Sequence, residues 1–309
     1  MLFKHADYFI AIVEEGNLSK AAERLFVSQP SLSQYLRRLE SDLNVELFDH
    51  SVSPLRPTYA GERFYQYAQQ MLKLEENSRR ELHDIQAQQS GCLRLGVAFW
   101  RGACLLPDVF PYFHKTYPGI HLELLEGRSS ALEIALMNDK IDLAVINLPK
   151  TLDYGQLTCE VIFQEQILLA APSTHPAVQA ILANCNFSKG LPIAPLAFIT
   201  EIPLIMTKSG QNLTREVNHF LGQNNLRPEI LFETANLTTA INLVAKGIAC
   251  AFVPEEGAKV CSHPGRVSYF AVDTPDLVWP LAVVYRKDSY LTNLARLFIE
   301  SIKTTLGTT

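Results

Sequence analysis

Hydrogen-bonding side chains and regularly spaced leucines alternate between residues 28 and 43. The amide and hydroxyl groups of Gln29, Ser33 and Gln34 can bond the edges of bases. The guanidinium group of Arg37 suits a phosphate. The leucines recur at steps of four, three and four residues, which places them on one side of a helix: Leu32, Leu36, Leu39 and Leu43. The opposite side could read nucleic acid, or it could be an ordinary solvated helix face.

A second group with binding chemistry follows a strand predicted at residues 93–97. Arg101 could pair a carboxylate through two N–H groups, and Phe99 and Trp100 beside it could cover an apolar or aromatic body. A small organic acid is the ligand that these residues indicate. Arg101 could equally be solvated or pair with an acidic residue of the protein itself.

Other candidate ligand-binding residues end predicted strands or begin predicted helices. Ligands of open parallel sheets lie beyond the carboxyl ends of the strands, near helix N-termini. Ser129 or Ser130 would cap a helix and help its free N–H groups to hold an anion, although a cap needs no ligand. The remaining candidates at strand ends are Asn147, Thr207 and Asn236.

Composition limits the classes of protein. A chain of 309 residues with 48% hydrophobic residues can form two or three domains with ordinary cores. We find no apolar run of the roughly 18 residues that a membrane span needs, and the first residues, MLFKHADYFIAIVEEGN, carry charges that do not fit a signal peptide. We therefore expect a cytoplasmic protein. The net charge of −5 gives no support for nucleic-acid binding, which must rest on the placement of charges.

The motifs of common catalytic and metal sites are missing from the sequence. The six cysteines are widely spaced without a C-x-x-C, which predicts neither a zinc site nor a disulfide framework. The sequence has no G-x-S-x-G, P-loop or H-E-x-x-H motif. We expect no enzymatic activity, no metal and no cofactor.

The elements around the first candidate surface form a compact pattern. An amphipathic helix ends near Gly16, and Asn17 can cap a short second helix. After a turn at Phe26, Ser28 can cap a third helix, in whose first turn Pro30 is tolerated. Two helices joined by a tight turn predict a helix-turn-helix, whose second helix enters the major groove of DNA.

The same residues carry a specific resemblance. The run A-A-E-R-L-F-V-S-Q-P-S-L-S-Q-Y-L-R-R-L-E, followed by L-N-V-E-L-F-D and T-Y-A-G, resembles the DNA-binding domain of LysR-type transcriptional regulators over nearly all of residues 1–61. The resemblance implies a winged helix-turn-helix domain at residues 1–58, with its wing at 45–58. It also implies that Gln29, Pro30 and Ser33 meet bases. Candidate contacts to the phosphate backbone are Ser31, Gln34, Arg37 and Arg38, and Ser28 is a further candidate DNA-binding residue.

The sequence departs from the family pattern in the wing. The family usually follows L-F-x with an arginine, whereas this chain has His50, which is mostly uncharged at neutral pH. His50 and Arg56 are the wing residues that we expect to approach DNA, and Arg56 could compensate for the missing arginine. With few counterions released, operator binding should depend only modestly on salt.

A long polar segment at residues 59–90 follows the wing. A heptad-like seam predicts a helix that pairs with a second chain, although a helix lying on its own domain is the alternative: Phe64, Ala68, Met71, Leu82 and Ile85. The resemblance implies a linker helix through which a homodimer or homotetramer forms. A dimer would present two recognition helices to a pseudo-palindromic operator.

From residue 91 strands and helices alternate in two similar series, which predicts parallel sheets with helices on both faces. The resemblance implies a two-lobed, periplasmic-binding-protein-like α/β domain at residues 91–309, with lobe I near 91–163 and 267–309 and lobe II near 164–266. The candidate ligand residues would then meet in one interlobe cleft. The fold expected for the whole chain is a multi-domain α+β protein.

These features together predict a DNA-binding transcriptional regulator controlled by a small carboxylate or amino acid. Its partners would be double-stranded DNA, the effector and further copies of the chain, with RNA polymerase as an additional candidate and no membrane. Ligand binding would change the lobe angle and act through a hinge near Ser90. The alternatives are a redox-sensing regulator using Cys185 or Cys261 and, more remotely, a solute-binding protein.

Overall fold

The structure, a computed structural model, describes residues 3–87, 90–148, 155–184, 186–188, 190–261, 263–272, 274 and 277–307. The chain divides into two compact units, an N-terminal unit of residues 1–86 with 288–290 and a C-terminal unit of residues 87–287 with 291–309. Each unit contains its own hydrophobic core. None of the helices in the described ranges combines the length and the apolar character that a bilayer span requires.

The N-terminal unit has the predicted winged helix-turn-helix. Three helices come first, then a two-stranded antiparallel wing and one long helix: α1 (Ala6–Glu15), α2 (Leu18–Arg24), α3 (Gln29–Leu43), β1 (Phe48–Asp49), β2 (Arg56–Pro57) and α4 (Tyr59–Ala87). Both predicted caps are confirmed. Asn17 Oδ1 accepts the N–H groups of Ser19 and Lys20 at 2.8 and 3.1 Å, and Ser28 Oγ accepts the N–H of Ser31 at 3.4 Å.

The predicted apolar seam of the long helix α4 is buried in its first part and exposed in the rest. Phe64 and Ala68 are buried in the core of the N-terminal unit, so the alternative of a helix lying on its own domain holds for this first part. Five other apolar residues of the helix form an exposed stripe at helical spacing: Tyr67, Met71, Leu74, Leu82 and Ile85. We call these five residues the α4 stripe.

The C-terminal unit is a mixed α/β structure. Its strands are β3 (Gly91–Ala98), β4 (Ile120–Gly127), β5 (Leu143–Asn147), β6 (Leu157–Pro172), β7 (Phe187–Ser188), β8 (Leu191–Ala194), β9 (Leu204–Thr207), β10 (Ile230–Thr234), β11 (Cys250–Pro254), β12 (Val267–Val272) and β13 (Val278–Arg286). Its helices are α5 (Phe99–Thr116), α6 (Ser129–Met137), α7 (Pro176–Asn184), α8 (Asn212–Gln223), α9 (Leu237–Val244), α10 (Glu255–Val260) and α11 (Asn293–Leu306).

Strand β6 runs through both lobes of this unit. Its first part, Leu157–Gln166, pairs with β13, and its second part pairs with β11 and β12. Lobe I therefore contains β4, β3, β5 and β13, with cores on both faces, and lobe II contains β10, β9, β11, β12, β8 and β7. Because β12 belongs to the lobe II sheet, the chain returns to lobe I after Val272, later than the residue 267 that we expected.

The expectation of parallel sheets was only partly correct. Strands β4, β3 and β5 are parallel, as are β10, β9 and β11, whereas β6 and β13 run antiparallel to their neighbours. Both strands lie where the chain passes between the lobes. A chain that crosses from one sheet to another and back needs strands of opposite direction, which local periodicity does not reveal.

Helix α5 begins at Phe99, whereas the sequence predicted a loop there and a helix from residue 106. Gly102 and Pro107 disfavour a helix by propensity. Cys104 and Leu105 are buried, and Leu105 packs into the lobe I core, so tertiary packing outweighs the local preference in the added part of the helix. The predicted loop containing Trp100 and Arg101 is therefore the first turn of a helix.

Candidate nucleic-acid interface and ligand cavity

The polar side of α3 is an open surface of the N-terminal unit. Leu32, Leu36 and Leu39 are buried beneath it, as the leucine spacing predicted. Of the predicted contact residues on this helix and its cap, Ser33 is half-buried and the others are exposed: Ser28, Gln29, Pro30, Ser31, Gln34, Arg37 and Arg38. The exposed side of α3 thus presents amide and hydroxyl groups in its first two turns and, one turn further on, the guanidinium groups of Arg37 and Arg38, which suits base-edge and phosphate recognition.

The wing is attached to α3 by a carboxylate. Glu40 Oε1 accepts the backbone N–H groups of Leu47 and Phe48 at 2.8 and 3.2 Å, and Glu40 Oε2 lies 3.2 Å from His50 Nε2. His50, the departure from the family pattern, is therefore exposed but already in contact with an acid. Arg56 is exposed and lies opposite Asp49 in the strand pair.

A cavity of about 440 Å³ lies between the two lobes of the C-terminal unit. Seven of the eight predicted ligand residues line it: Phe99, Trp100, Arg101, Ser129, Asn147, Thr207 and Asn236. Ser130 is exposed and is not a wall residue. Trp279, Pro254, Leu213 and Leu237 add apolar wall that we did not predict.

Several helices begin at this cavity. Asn236 Oδ1 caps α9 by accepting the N–H groups of Thr238 and Thr239 at 3.0 and 3.4 Å. The expected serine cap of α6 was wrong, because Arg128 is the N-cap and Ser129 is the first helical residue. Neither Arg128 nor Gln211, the N-cap of α8, accepts a helix N–H through its side chain.

Arg101 is the most buried polar residue of the cavity wall, with 2% of its surface exposed. Its Nε donates to Asn147 Oδ1 at 2.8 Å, and its Nη2 forms an ion pair with Glu165 Oε1. Burial lowers the pKa of Arg101 to about 10, so the guanidinium group stays charged at neutral pH. Of the alternatives left open by the sequence, pairing with an acidic residue of the protein is the one observed.

Glu165 was missed by the sequence analysis. The same carboxylate accepts the side-chain N–H of Asn147 at 3.0 Å and the backbone N–H of Glu256, at the start of α10, at 3.4 Å. Another hydrogen bond joins the two lobes at the cavity: Asn212 Nδ2 of lobe II donates to the carbonyl of Asn147 at 2.9 Å. No local signal distinguishes Glu165 from the other polar residues of this strand, such as Glu160 and Gln166.

Two protein-family models match the chain. The model described as "Bacterial regulatory helix-turn-helix protein, lysR family" matches residues 3–62, and the model described as "LysR substrate binding domain" matches residues 86–307. The second match alone covers more than half of the chain. Its residues include the whole interlobe cavity, and the first match includes the exposed face of α3.

Relatives and solved structures agree with these matches. The chain is 26% identical to the uncharacterized HTH-type transcriptional regulator YcgK of Bacillus subtilis, over 100% of this chain and 96% of that protein. A hydrogen-peroxide-bound OxyR variant of Corynebacterium glutamicum shares the fold with a TM-score of 0.62 and 21% identity, over 98% of this chain and 91% of that one. A full-length CbnR in complex with its target DNA gives a TM-score of 0.56 and 23% identity, over 99% of both chains. The chain therefore belongs to the LysR family of DNA-binding transcriptional regulators.

Proposed function

We propose that this regulator reads its operator with the exposed face of α3 and responds to a small carboxylate or amino acid bound in the interlobe cavity. The observation that carries the proposal is that one chain has both an exposed polar recognition helix in its N-terminal unit and a ligand-sized cavity in its C-terminal unit. The solved complex of CbnR with its target DNA supports the DNA-binding part by similarity of fold. Ligand binding changes operator affinity only as far as the ligand prefers one state of the protein.

Base reading is assigned to the first turn of α3. Gln29 is exposed at the first helical position, and its side chain forms no hydrogen bond with the described part of the protein. Its amide can therefore meet an adenine edge through two hydrogen bonds.

We expect Gln29→Ala to weaken operator binding by about 1–3 kcal/mol while leaving nonspecific binding unchanged, because the amide contacts a base edge. Fluorescence anisotropy with operator and scrambled duplexes of equal length measures both quantities. The matched control is Gln69→Ala, an exposed glutamine on α4. Equal discrimination between the two duplexes before and after the Gln29 substitution would rule out base reading by this residue.

Dimerisation is assigned to the α4 stripe. Its members are exposed in the isolated chain, with 63% of Leu82 and 70% of Ile85 accessible. Exposed apolar side chains at heptad-like spacing bury well against a second helix. A symmetric pair of α4 helices would cover the stripe of both copies.

We expect Leu82→Lys to raise the dimer dissociation constant by about 100-fold, because both copies of a symmetric interface lose an apolar contact worth roughly 1.5 kcal/mol and gain a charge. Analytical ultracentrifugation across a dilution series measures this constant. Gln69→Lys, on another face of the same helix, should leave it unchanged. The assignment fails if both variants dimerise as tightly as the unsubstituted chain.

The redox alternative gains no support from the described thiols. Burial raises the pKa of Cys104 to about 11 and that of Cys250 to about 12, and it also raises the pKa of Cys92 and Cys159. A raised pKa lowers the thiolate fraction that reacts with oxidants. Cys261 is half-buried, and Cys185 lies outside the described residues.

A further inference from the structure

The charged side chains of the cavity wall, within the described ranges, are all positive. Two arginines, Arg101 and Arg128, line the cavity, and no aspartate, glutamate, lysine or histidine belongs to the wall within the described ranges. The nearby carboxylate of Glu165 is 1% exposed and already paired with Arg101. A cationic group of a ligand would therefore enter the cavity without a carboxylate to receive it.

Several hydrogen-bond acceptors of the wall are already engaged. Asn147 accepts from Arg101 through its side chain and from Asn212 through its carbonyl. Asn236 Oδ1 is occupied by the cap of α9, and the carbonyl of Ala235 accepts from the side chain of Gln211 at 3.0 Å. The amide oxygens of Gln211 and Asn212 and the hydroxyl groups of Ser129 and Thr238 remain as acceptors, but they are uncharged and give an ammonium ion no opposite charge.

Donors, in contrast, remain available. The guanidinium group of Arg128 forms no hydrogen bond or ion pair with any residue that the structure describes. Beside it, α6 starts at Ser129 without a side-chain cap, and α8 starts likewise at Asn212. The wall thus offers an unpaired cation and uncapped helix N–H groups, which suit an oxyanion.

The rest of the wall suits an apolar body. Phe99, Trp100 and Trp279 supply aromatic surface, and Leu213, Leu237 and Pro254 supply aliphatic surface. Apolar walls with a few converging polar groups are typical of sites for small organic ligands. We infer that the ligand of this cavity is a carboxylate with an apolar, ring-sized body and without an ammonium group. This inference rests on the proposed function of the cavity and decides between its two ligand classes, carboxylate and amino acid.

The test uses the full-length protein and probes that share one phenylethyl body: 3-phenylpropanoate, phenylalanine, 3-phenylpropanamide and phenethylamine. Parallel sets built on benzoate and on cyclohexanecarboxylate vary the body. Thermal shift ranks binding, and isothermal titration calorimetry measures dissociation constants. We expect a carboxylate to bind about 100-fold or more tightly than its amino-acid, amide and amine counterparts, because an ammonium group meets the like charge of Arg128 and an amide lacks the negative charge that Arg128 would pair with.

Three variants locate the interaction. Arg128→Gln should weaken carboxylate binding about tenfold, whereas Arg227→Gln, an exposed arginine that is not a wall residue, should leave it unchanged. Thr238→Trp places a large side chain on the cavity wall and should abolish binding.

The outcomes separate this inference from the proposed function. An amino acid that binds as tightly as its carboxylate, and is lost in Thr238→Trp, overturns the ligand class and leaves the cavity as the effector site. A panel in which every carboxylate fails to bind overturns the class as well. Carboxylate binding that survives in Thr238→Trp places the ligand elsewhere, and then the proposed function of the cavity fails.

Discussion

The Glu165→Ala variant is expected to unfold with a free energy about 3–5 kcal/mol lower than that of the unsubstituted chain. The substitution leaves the buried guanidinium group of Arg101 without its carboxylate. It also removes the acceptor for the side chain of Asn147 and for the backbone N–H of Glu256. An uncompensated charge in a buried site costs far more than the net gain from the intact pair.

The measurement is denaturant unfolding followed by indole fluorescence. The two tryptophans of the chain, Trp100 and Trp279, both belong to the C-terminal unit, so this signal follows that unit alone. The matched control is Glu160→Ala on the same strand. Glu160 forms a partly exposed ion pair with Lys303 at 2.6 Å, and its loss should cost less than about 1 kcal/mol. Equal losses in the two variants would contradict the role of the buried pair.

A double substitution separates the pair from other causes of instability. Arg101→Met together with Glu165→Leu removes both charges and fills the space with apolar side chains. The free energy of unfolding of this double variant should therefore be several kcal/mol higher than that of Arg101→Met alone or Glu165→Leu alone. A double variant as unstable as the singles would show that packing, and not the unpaired charge, explains the loss.

The buried pair also affects the expected role of Arg101 in ligand response. We expect Arg101→Ala to abolish the ligand response and to leave DNA affinity unchanged. Since Arg101 is held by Asn147 and Glu165, the same substitution is expected to destabilise the C-terminal unit. The fluorescence curve must therefore show a folded variant before a lost response is attributed to a ligand contact.

A second large loss of stability is expected for the Gly61→Ala variant. Gly61 lies in the first turn of α4, and a Cβ atom there would sit 1.9 Å from the backbone carbonyl oxygen of Leu47. The clash involves backbone, so the wing and the start of α4 must move apart. That movement disturbs the bonds of Thr58, whose N–H donates to Leu47 at 2.9 Å and whose Oγ1 accepts from Gly61 at 3.1 Å. We expect a stability loss of about 3 kcal/mol in the N-terminal unit.

Operator affinity should fall with it by about tenfold or more, because a displaced wing no longer holds its residues in place. Anisotropy titrations measure the affinity, and thermal unfolding followed by circular dichroism measures the stability. The control is Gly222→Ala near the end of α8, where a Cβ atom meets nothing within 4 Å; it should be neutral or slightly stabilising. A Gly61→Ala protein with unchanged melting and binding would contradict this account of the wing.

Prediction from the sequence succeeded where the deciding interactions are local. The caps at Asn17 and Ser28 and the buried leucines of α3 follow from contacts between residues a few positions apart. The start of α5 could not be predicted in this way. Gly102 and Pro107 oppose a helix, whereas the burial of Cys104 and of Leu105, which packs against lobe I, favours it.

The family, the DNA-binding motif and seven of the residues that line the cavity could be predicted without a structure, because motif spacing and strand ends are properties of short segments. Tertiary structure alone decided what those residues contact. Arg101 pairs with Glu165, and Phe64 packs the first part of α4 against the core of its own domain. Partners chosen by long-range packing depend on how sheets and helices come together, and that information is absent from any local pattern.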